Sequence, residues 1–112
     1  MVRQIEWSAE SIDDLAAIRD YLLEQTPANA ERIVREIESA AELLIDFPYA
    51  HRMVPEWQDP DRRETFVYRW RLIYRVTPDR IRIVGVIHGS RLLGNIENRA
   101  FEEGRQAEYI AS

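Results

Sequence analysis

Two stretches of alternating side chains, separated by a short turn, constrain the fold of this 112-residue chain more than any other feature. Residues 69–76 and 80–88 both alternate apolar positions with positions held by arginines and a few apolar residues. The Thr-Pro-Asp sequence at 77–79 suits a tight turn, because proline presets the backbone angle of its second position. We therefore predict a β-hairpin of these two strands, preceded by a further strand over residues 62–67.

The alternation assigns the side chains of the hairpin to two faces, because successive residues of a strand point in opposite directions. One face is apolar and is expected to pack on helices; it consists of Trp70, Leu72, Tyr74, Val76, Ile81, Ile83 and Ile87. The opposite face, called the arginine face, carries Arg69, Arg71, Arg75, Arg82 and His88, with Ile73, Val84 and Val86 between them. Neighbouring like charges repel unless an anion lies among them. We interpret this face as a surface for an anion or a partner, in preference to a merely solvated face.

Two amphipathic segments in the first half of the chain predict a helical hairpin. Ser8 stands at an N-cap position before an apolar stripe that predicts a helix over about residues 9–25. Thr26 and Pro27 predict the start of a second helix, which ends near residue 46. Helices joined so closely lie antiparallel. With a short strand over residues 2–7, we expect an α+β, two-layer domain: an N-terminal strand and an antiparallel helical hairpin packed on an antiparallel sheet.

The composition excludes several classes of function. The chain has no cysteine, which rules out disulfides, thiolate zinc sites and cysteine nucleophiles. It has no glycine motif for phosphates or dinucleotides and no metal-ligand spacing, so we expect no cofactor and no metal. The N-terminus lacks the apolar core of a signal peptide, and no apolar run is long enough to span a bilayer. A soluble, cytoplasmic protein is therefore expected.

The charge is distributed unevenly along the chain, although its net value is only −5. All fifteen basic residues are arginines. Residues 1–48 hold four arginines against eleven carboxylates, whereas residues 49–99 hold ten arginines against six carboxylates. The second half is therefore the half expected to attract an anion.

RNA cleavage would need few groups beyond those predicted on the arginine face. A base must remove the 2′-hydroxyl proton, an acid must protonate the leaving oxygen, and a cation must stabilise the phosphorane between these steps. His88 could serve as acid or base, Glu56 or Glu64 as base, and Arg71 as the cation. A structural, hydrogen-bonded role for His88 is at least an equal alternative.

Three motifs give the chain a resemblance to a known family. They are Arg-Met-Val-Pro-Glu at 52–56, Arg-Leu-Ile-Tyr-Arg-Val at 71–76 and the strand from 83 to 88. They resemble the RelE/ParE superfamily of toxins from bacterial type II toxin–antitoxin systems, which implies a toxin domain over residues 1–93. The resemblance also implies a cognate antitoxin whose disordered segment folds over the toxin. The remaining residues, 94–112, are polar with helix-compatible spacing, and we expect them to form either a third helix or a flexible end.

The superfamily divides by target, and the resemblance leaves two targets open. Members of the YoeB type are ribosome-dependent mRNA endonucleases, and Glu56, Arg71 and His88 occupy the positions of their catalytic residues. Members of the ParE type act on DNA gyrase without catalysing cleavage. The Gly-Ser-Arg-Leu-Leu continuation after His88 and the acidic net charge resemble the ParE type more, and we favour it. A non-toxic relative that binds a protein partner is a third hypothesis. The residues expected to bind a partner or an anion are Arg69, Arg75, Arg82 and Arg91.

Overall fold

The chain folds into a helical hairpin laid over a five-stranded sheet, and the computed structural model describes residues 2–89 and 108–111. The elements are β1 (Gln4–Ser8), α1 (Ala9–Gln25), α2 (Ala30–Leu43), β2 (Arg62–Val67), β3 (Trp70–Val76), β4 (Arg80–His88) and β5 (Glu108–Ala111). The strands lie in the order β2-β3-β4-β1-β5. The predicted two-layer α+β fold is confirmed.

The sheet is mixed, not wholly antiparallel as the sequence pattern predicted. Strands β2, β3 and β4 pair antiparallel in sequence order, but β1 runs parallel to β4. The chain leaves β1 through the helical hairpin before it enters the other strands, and parallel pairing requires a long crossover connection of this kind. The parallel register sets Glu6 directly beside Arg82. This contact across the sheet has no counterpart in the local sequence pattern.

The first helix begins and ends as predicted, whereas the second does not. The Ser8 hydroxyl accepts a hydrogen bond from the Ser11 backbone N–H at 3.1 Å, which caps α1. Thr26 does not cap α2; it closes α1 instead, because its N–H donates to the Leu22 carbonyl at 2.7 Å. The second helix therefore starts three residues after Pro27, at Ala30, and ends at Leu43.

The main core lies between the helices and one face of the sheet. Leu72, Tyr74 and Ile83 are fully buried there, with Val34 and Ile37 of α2 packed in the same cluster. A second, smaller cluster lies on the other face, where the loop between α2 and β2 crosses the strands. It consists of Val54, Ile73, Val84 and Ile87, with Trp57 packed against it.

A β-bulge in β4 corrects the predicted faces of the hairpin. Ile73 lies opposite Gly85 while Tyr74 lies opposite Ile83, so Val84 is an extra residue on β4. The extra residue reverses the alternation beyond it. Consequently Ile87 lies opposite Arg71 and belongs to the second cluster, and Val86 joins the main core.

His88 moves with the same reversal. It lies opposite Trp70, whose side chain belongs to the helix-side core, so His88 is on the helix side of the sheet. Its predicted place on the arginine face is therefore wrong. The physical reason is that one inserted residue shifts a period of two by half a cycle.

The last four described residues, Glu108–Ala111, form a strand, where the sequence predicted a third helix or a flexible end; residues 94–107 of that segment lie outside the described residues. Strand β5 pairs antiparallel with β1, from Ile5 opposite Ala111 to Ser8 opposite Glu108. The division of the chain into a domain over 1–93 and a tail over 94–112 stays a prediction. Within residues 2–89 and 108–111, no helix combines the length and the apolar character that crossing a membrane would demand.

Candidate functional site

The loop that follows α2 brings Glu56 over the arginine face. Its chain runs alongside the edge strand β2, where the Val54 N–H donates to the Arg62 carbonyl and the Glu64 N–H donates to the Arg52 carbonyl, each at 3.0 Å. The side chain of Val54, in this loop, is fully buried against Ile73 and Val84 of the sheet. The carboxylate of Glu56, two residues on, is thereby held above the strands.

Arg71 lies at the centre of an ion-pair network on this face. Its Nε donates to Glu64 Oε1 at 3.0 Å, and its Nη2 contacts the same oxygen. Its two terminal nitrogens donate to the two oxygens of Glu56, at 3.3 and 3.2 Å. The second oxygen of Glu64 accepts from Arg52 Nε at 2.6 Å. Arg71 and Glu64 are only 5% and 1% exposed, so their charges are compensated inside the protein.

The network also acts on the ionisation of Glu56. Its hydrogen bonds from Arg71 lower the pKa of the Glu56 carboxyl, and partial burial opposes that shift. Glu56 is therefore held as a carboxylate, in a hydrogen-bonded pair that strengthens its charged form.

A second network neutralises the two arginines of β4, Arg80 and Arg82. The Glu6 side chain on β1 is buried and accepts from Arg80 at 2.6 Å and from Arg82. The anions that the arginine face was expected to attract are thus supplied in part by the chain itself. Sequence reasoning did not identify Glu6, and it named Glu64 only as a candidate base. The available signal was that each carboxylate occupies a polar position of an alternating strand.

The structure brings only part of the predicted catalytic set together. Glu56 and Arg71 contact one another, whereas His88 lies on the opposite side of the sheet. There it lines a cleft of about 310 Å³ with Asp14, Tyr21 and Trp70. The Asp14 carboxylate, which sequence reasoning missed, accepts the backbone N–H of Val86 at 3.0 Å, just beyond the bulge.

The remaining predicted residues are also divided between the two sides. Arg75 pairs across the strands with Arg62 and Arg82, as expected for the arginine face. Arg69 lies in the turn before β3 and lines a cleft of about 430 Å³ against Tyr21 of α1, so its predicted place among the other arginines is wrong. The turn, not the strand alternation, directs it. Arg91 lies outside the described residues.

Partner-binding roles for these arginines stay predictions. Among residues 2–89 and 108–111, no three histidine or acidic side chains are grouped closely enough to hold a metal ion. What the arginine face offers chemically is guanidinium groups already matched to carboxylates, with one of those carboxylates, Glu56, near the surface.

Comparison with known proteins identifies the family to which the fold belongs. Residues 5–93 match the family of the ParE toxin of type II toxin–antitoxin system, parDE. The chain is 29% identical over 89 residues to Toxin RelE2 of Caulobacter vibrioides, covering 80% of this chain and 98% of that protein. A solved structure of the chromosomal ParDE TA system from P. aeruginosa superposes with a TM-score of 0.66 at 20% identity, over 78% of this chain and 96% of that one.

These similarities confirm the RelE/ParE superfamily of toxins as the class to which the domain belongs. More narrowly, the chain belongs to the ParE toxin family of type II toxin–antitoxin systems.

Proposed function

We propose that this toxin inhibits growth by acting on DNA gyrase in the cytoplasm, without catalysing cleavage itself, and that a cognate antitoxin neutralises it. The observation that carries the proposal is the separation of His88 from Glu56 and Arg71 by the sheet. Acid–base cleavage of RNA requires its proton-transferring groups within hydrogen-bond reach of one phosphate. Side chains on opposite faces of one sheet do not converge in that way.

The charge of the arginine face supports the same choice. Arg52, Arg71, Arg80 and Arg82 are paired with carboxylates of the chain itself. Binding to a nucleic-acid backbone depends on cations that replace its counterions. Guanidinium groups already neutralised from within the protein contribute little to such binding, which disfavours an RNA substrate.

The test is an induced-expression assay combined with supercoiling by purified gyrase. We expect the wild-type chain to arrest growth and to inhibit supercoiling. His88→Ala and Glu56→Gln should keep this inhibition, because neither side chain takes part in a reaction. His51→Ala, which removes the other histidine of the chain, is the matched control.

One alternative keeps an observation in its favour. Glu56 and Arg71 contact each other directly, as two members of a nuclease site would. If the chain is instead a ribosome-dependent mRNA endonuclease, His88→Ala and Glu56→Gln should each reduce cleavage of ribosome-bound mRNA by roughly 10²–10⁴-fold, the usual contribution of an acid–base group. Such a loss of cleavage, together with gyrase supercoiling that the wild-type chain does not inhibit, would contradict the proposal. Normal growth on induction of the wild type would leave the non-toxic, partner-binding relative.

A further inference from the structure

We propose that the outer edge of the Arg71 guanidinium is a carboxylate-binding site, which Glu56 fills in the isolated chain and an aspartate or glutamate of a protein partner fills in the complex. The inference rests on the proposed function, in which the toxin acts through contacts with other proteins. It deepens that function by naming the chemical group that such a protein would present to Arg71.

The two edges of the guanidinium have different partners. The inner edge faces Glu64, whose side chain has no exposed surface, and their contact is sealed inside the protein. The outer edge faces Glu56, whose side chain is 46% exposed, through two roughly parallel hydrogen bonds. A guanidinium that binds a carboxylate with both terminal nitrogens is the arrangement by which arginine recognises an external carboxylate. The inner pair thus fixes Arg71, and the outer pair is within reach of solvent.

Exchange at the outer edge requires no opening of the loop. The backbone on both sides of Glu56 is anchored, because the N–H groups of Trp57 and Gln58 donate to the Val54 carbonyl at 3.1 and 3.3 Å. Trp57 packs against the second cluster as well. Rotation of the Glu56 side chain alone would therefore vacate the site. Arg71 is already ordered, so a partner need not supply the free energy of ordering it.

Charge balance favours a protein carboxylate over a nucleic acid. In the isolated chain Arg52 and Arg71 balance Glu56 and Glu64. Moving Glu56 aside leaves a single positive charge at the site, which one carboxylate neutralises. A phosphodiester backbone would need several uncompensated cations, and the chain carries a net charge of −5. The geometry already in place is also that of a planar carboxylate.

The experiment titrates N-acetyl hexaglutamate amide, and separately inorganic phosphate, into the isolated full-length protein while the NMR signal of Arg71 Nε–H is followed. Glu56→Ala vacates the site and should bind hexaglutamate about tenfold more tightly than the wild type or better, the effect of one charge-assisted hydrogen bond. The matched control is Glu36→Ala, which removes another carboxylate paired with an arginine, at 3.0 Å from Arg32. Its affinity should equal that of the wild type.

Equal affinities of Glu56→Ala and the wild type would overturn the proposal, as would binding that leaves the Arg71 signal unchanged. Tighter binding of phosphate than of hexaglutamate would overturn the choice of a protein partner and favour a nucleic acid. Glu56→Gln, whose amide holds the Arg71 edge less strongly, should show an intermediate affinity and guards against a folding defect in the alanine variant. Because neither gyrase nor an antitoxin is present, failure here is distinct from failure of the proposed function.

Discussion

The two faces of the sheet are closed by different interactions. On the helix side, Leu72 and Ile83 are buried among apolar side chains of α1 and α2. On the arginine side, a loop and a few carboxylates cover buried charges, with Arg71 between Glu56 and Glu64. Apolar burial adds roughly 1.5–3 kcal/mol for each large side chain, whichever neighbours it has. A buried charge depends on one particular partner. Single substitutions of the charged residues on the arginine face are therefore expected to reduce stability more than the small size of its apolar cluster would suggest.

The largest expected effect is that of Glu64→Ala, which removes the buried carboxylate that pairs with Arg71. Removing one member of a buried ion pair costs about 3–5 kcal/mol, and we expect this loss in the free energy of unfolding measured with urea. The double variant Glu64→Leu with Arg71→Met removes both charges and should lose much less. A single variant that loses under about 1 kcal/mol would show that the two faces do not differ in this way.

Asp14→Ala should have the next largest effect, on the helix side. It removes the charged acceptor of the Val86 N–H next to the bulge, and a hydrogen bond to a charged group contributes about 1.5–3 kcal/mol. Asp14→Asn keeps an acceptor oxygen and should lose less in the same urea measurement. Equal losses for both variants would assign the effect to something other than this hydrogen bond.

Tyr74→Phe tests a polar group within the apolar core and should cost about 1 kcal/mol. The Tyr74 hydroxyl donates to the Pro48 carbonyl at 2.9 Å, and burial raises the pKa of Tyr74 to about 12. Because the folded state favours the neutral phenol, its contribution is complete below pH 10 and is lost as the pH rises toward 12. The stability gap between wild type and variant should therefore narrow above pH 10. A gap that stays constant to pH 11 would contradict this.

The smallest expected effect is that of Glu56→Gln, because Glu56 is half-exposed and solvent screens its pair with Arg71. We expect a loss below about 1 kcal/mol at neutral pH. The pKa of Glu56 is lowered by Arg71 from an ordinary value of 4.5, so its contribution is present above that pH and disappears as the pH falls through the lowered value. Unfolding at pH 7 and pH 3 measures the change. A larger loss at pH 3 than at pH 7 would contradict the sign.

Much of the fold could be predicted from local patterns. The Ser8 cap, the span of α1 and the bounds of β2 and β4 follow from residues near each other in the chain, where helix and strand periods act. The apolar face of β3 was predicted for the same reason. The start of α2 was not, because a Thr-Pro pair suits the end of one helix as well as the start of the next.

The candidate site was predicted only in part. Arg71 and Glu56 were both named from sequence, and they do meet. The side of the sheet that His88 occupies was predicted wrongly because strict alternation was extended through Gly85. A glycine inside a strand often marks a bulge, and this one directly follows the extra residue, Val84.

By itself, the sequence determined the span of α1, the presence of a second helix and the β3–β4 hairpin, since these depend on periods of two and 3.6 residues along the chain. Only the tertiary structure decided how the charges are matched. The parallel pairing of β1 with β4 places Glu6 beside Arg82, and β2 places Glu64 beside Arg71. Each of these two ion pairs joins residues on different strands. The pairs therefore follow from strand order and register, which no local period encodes.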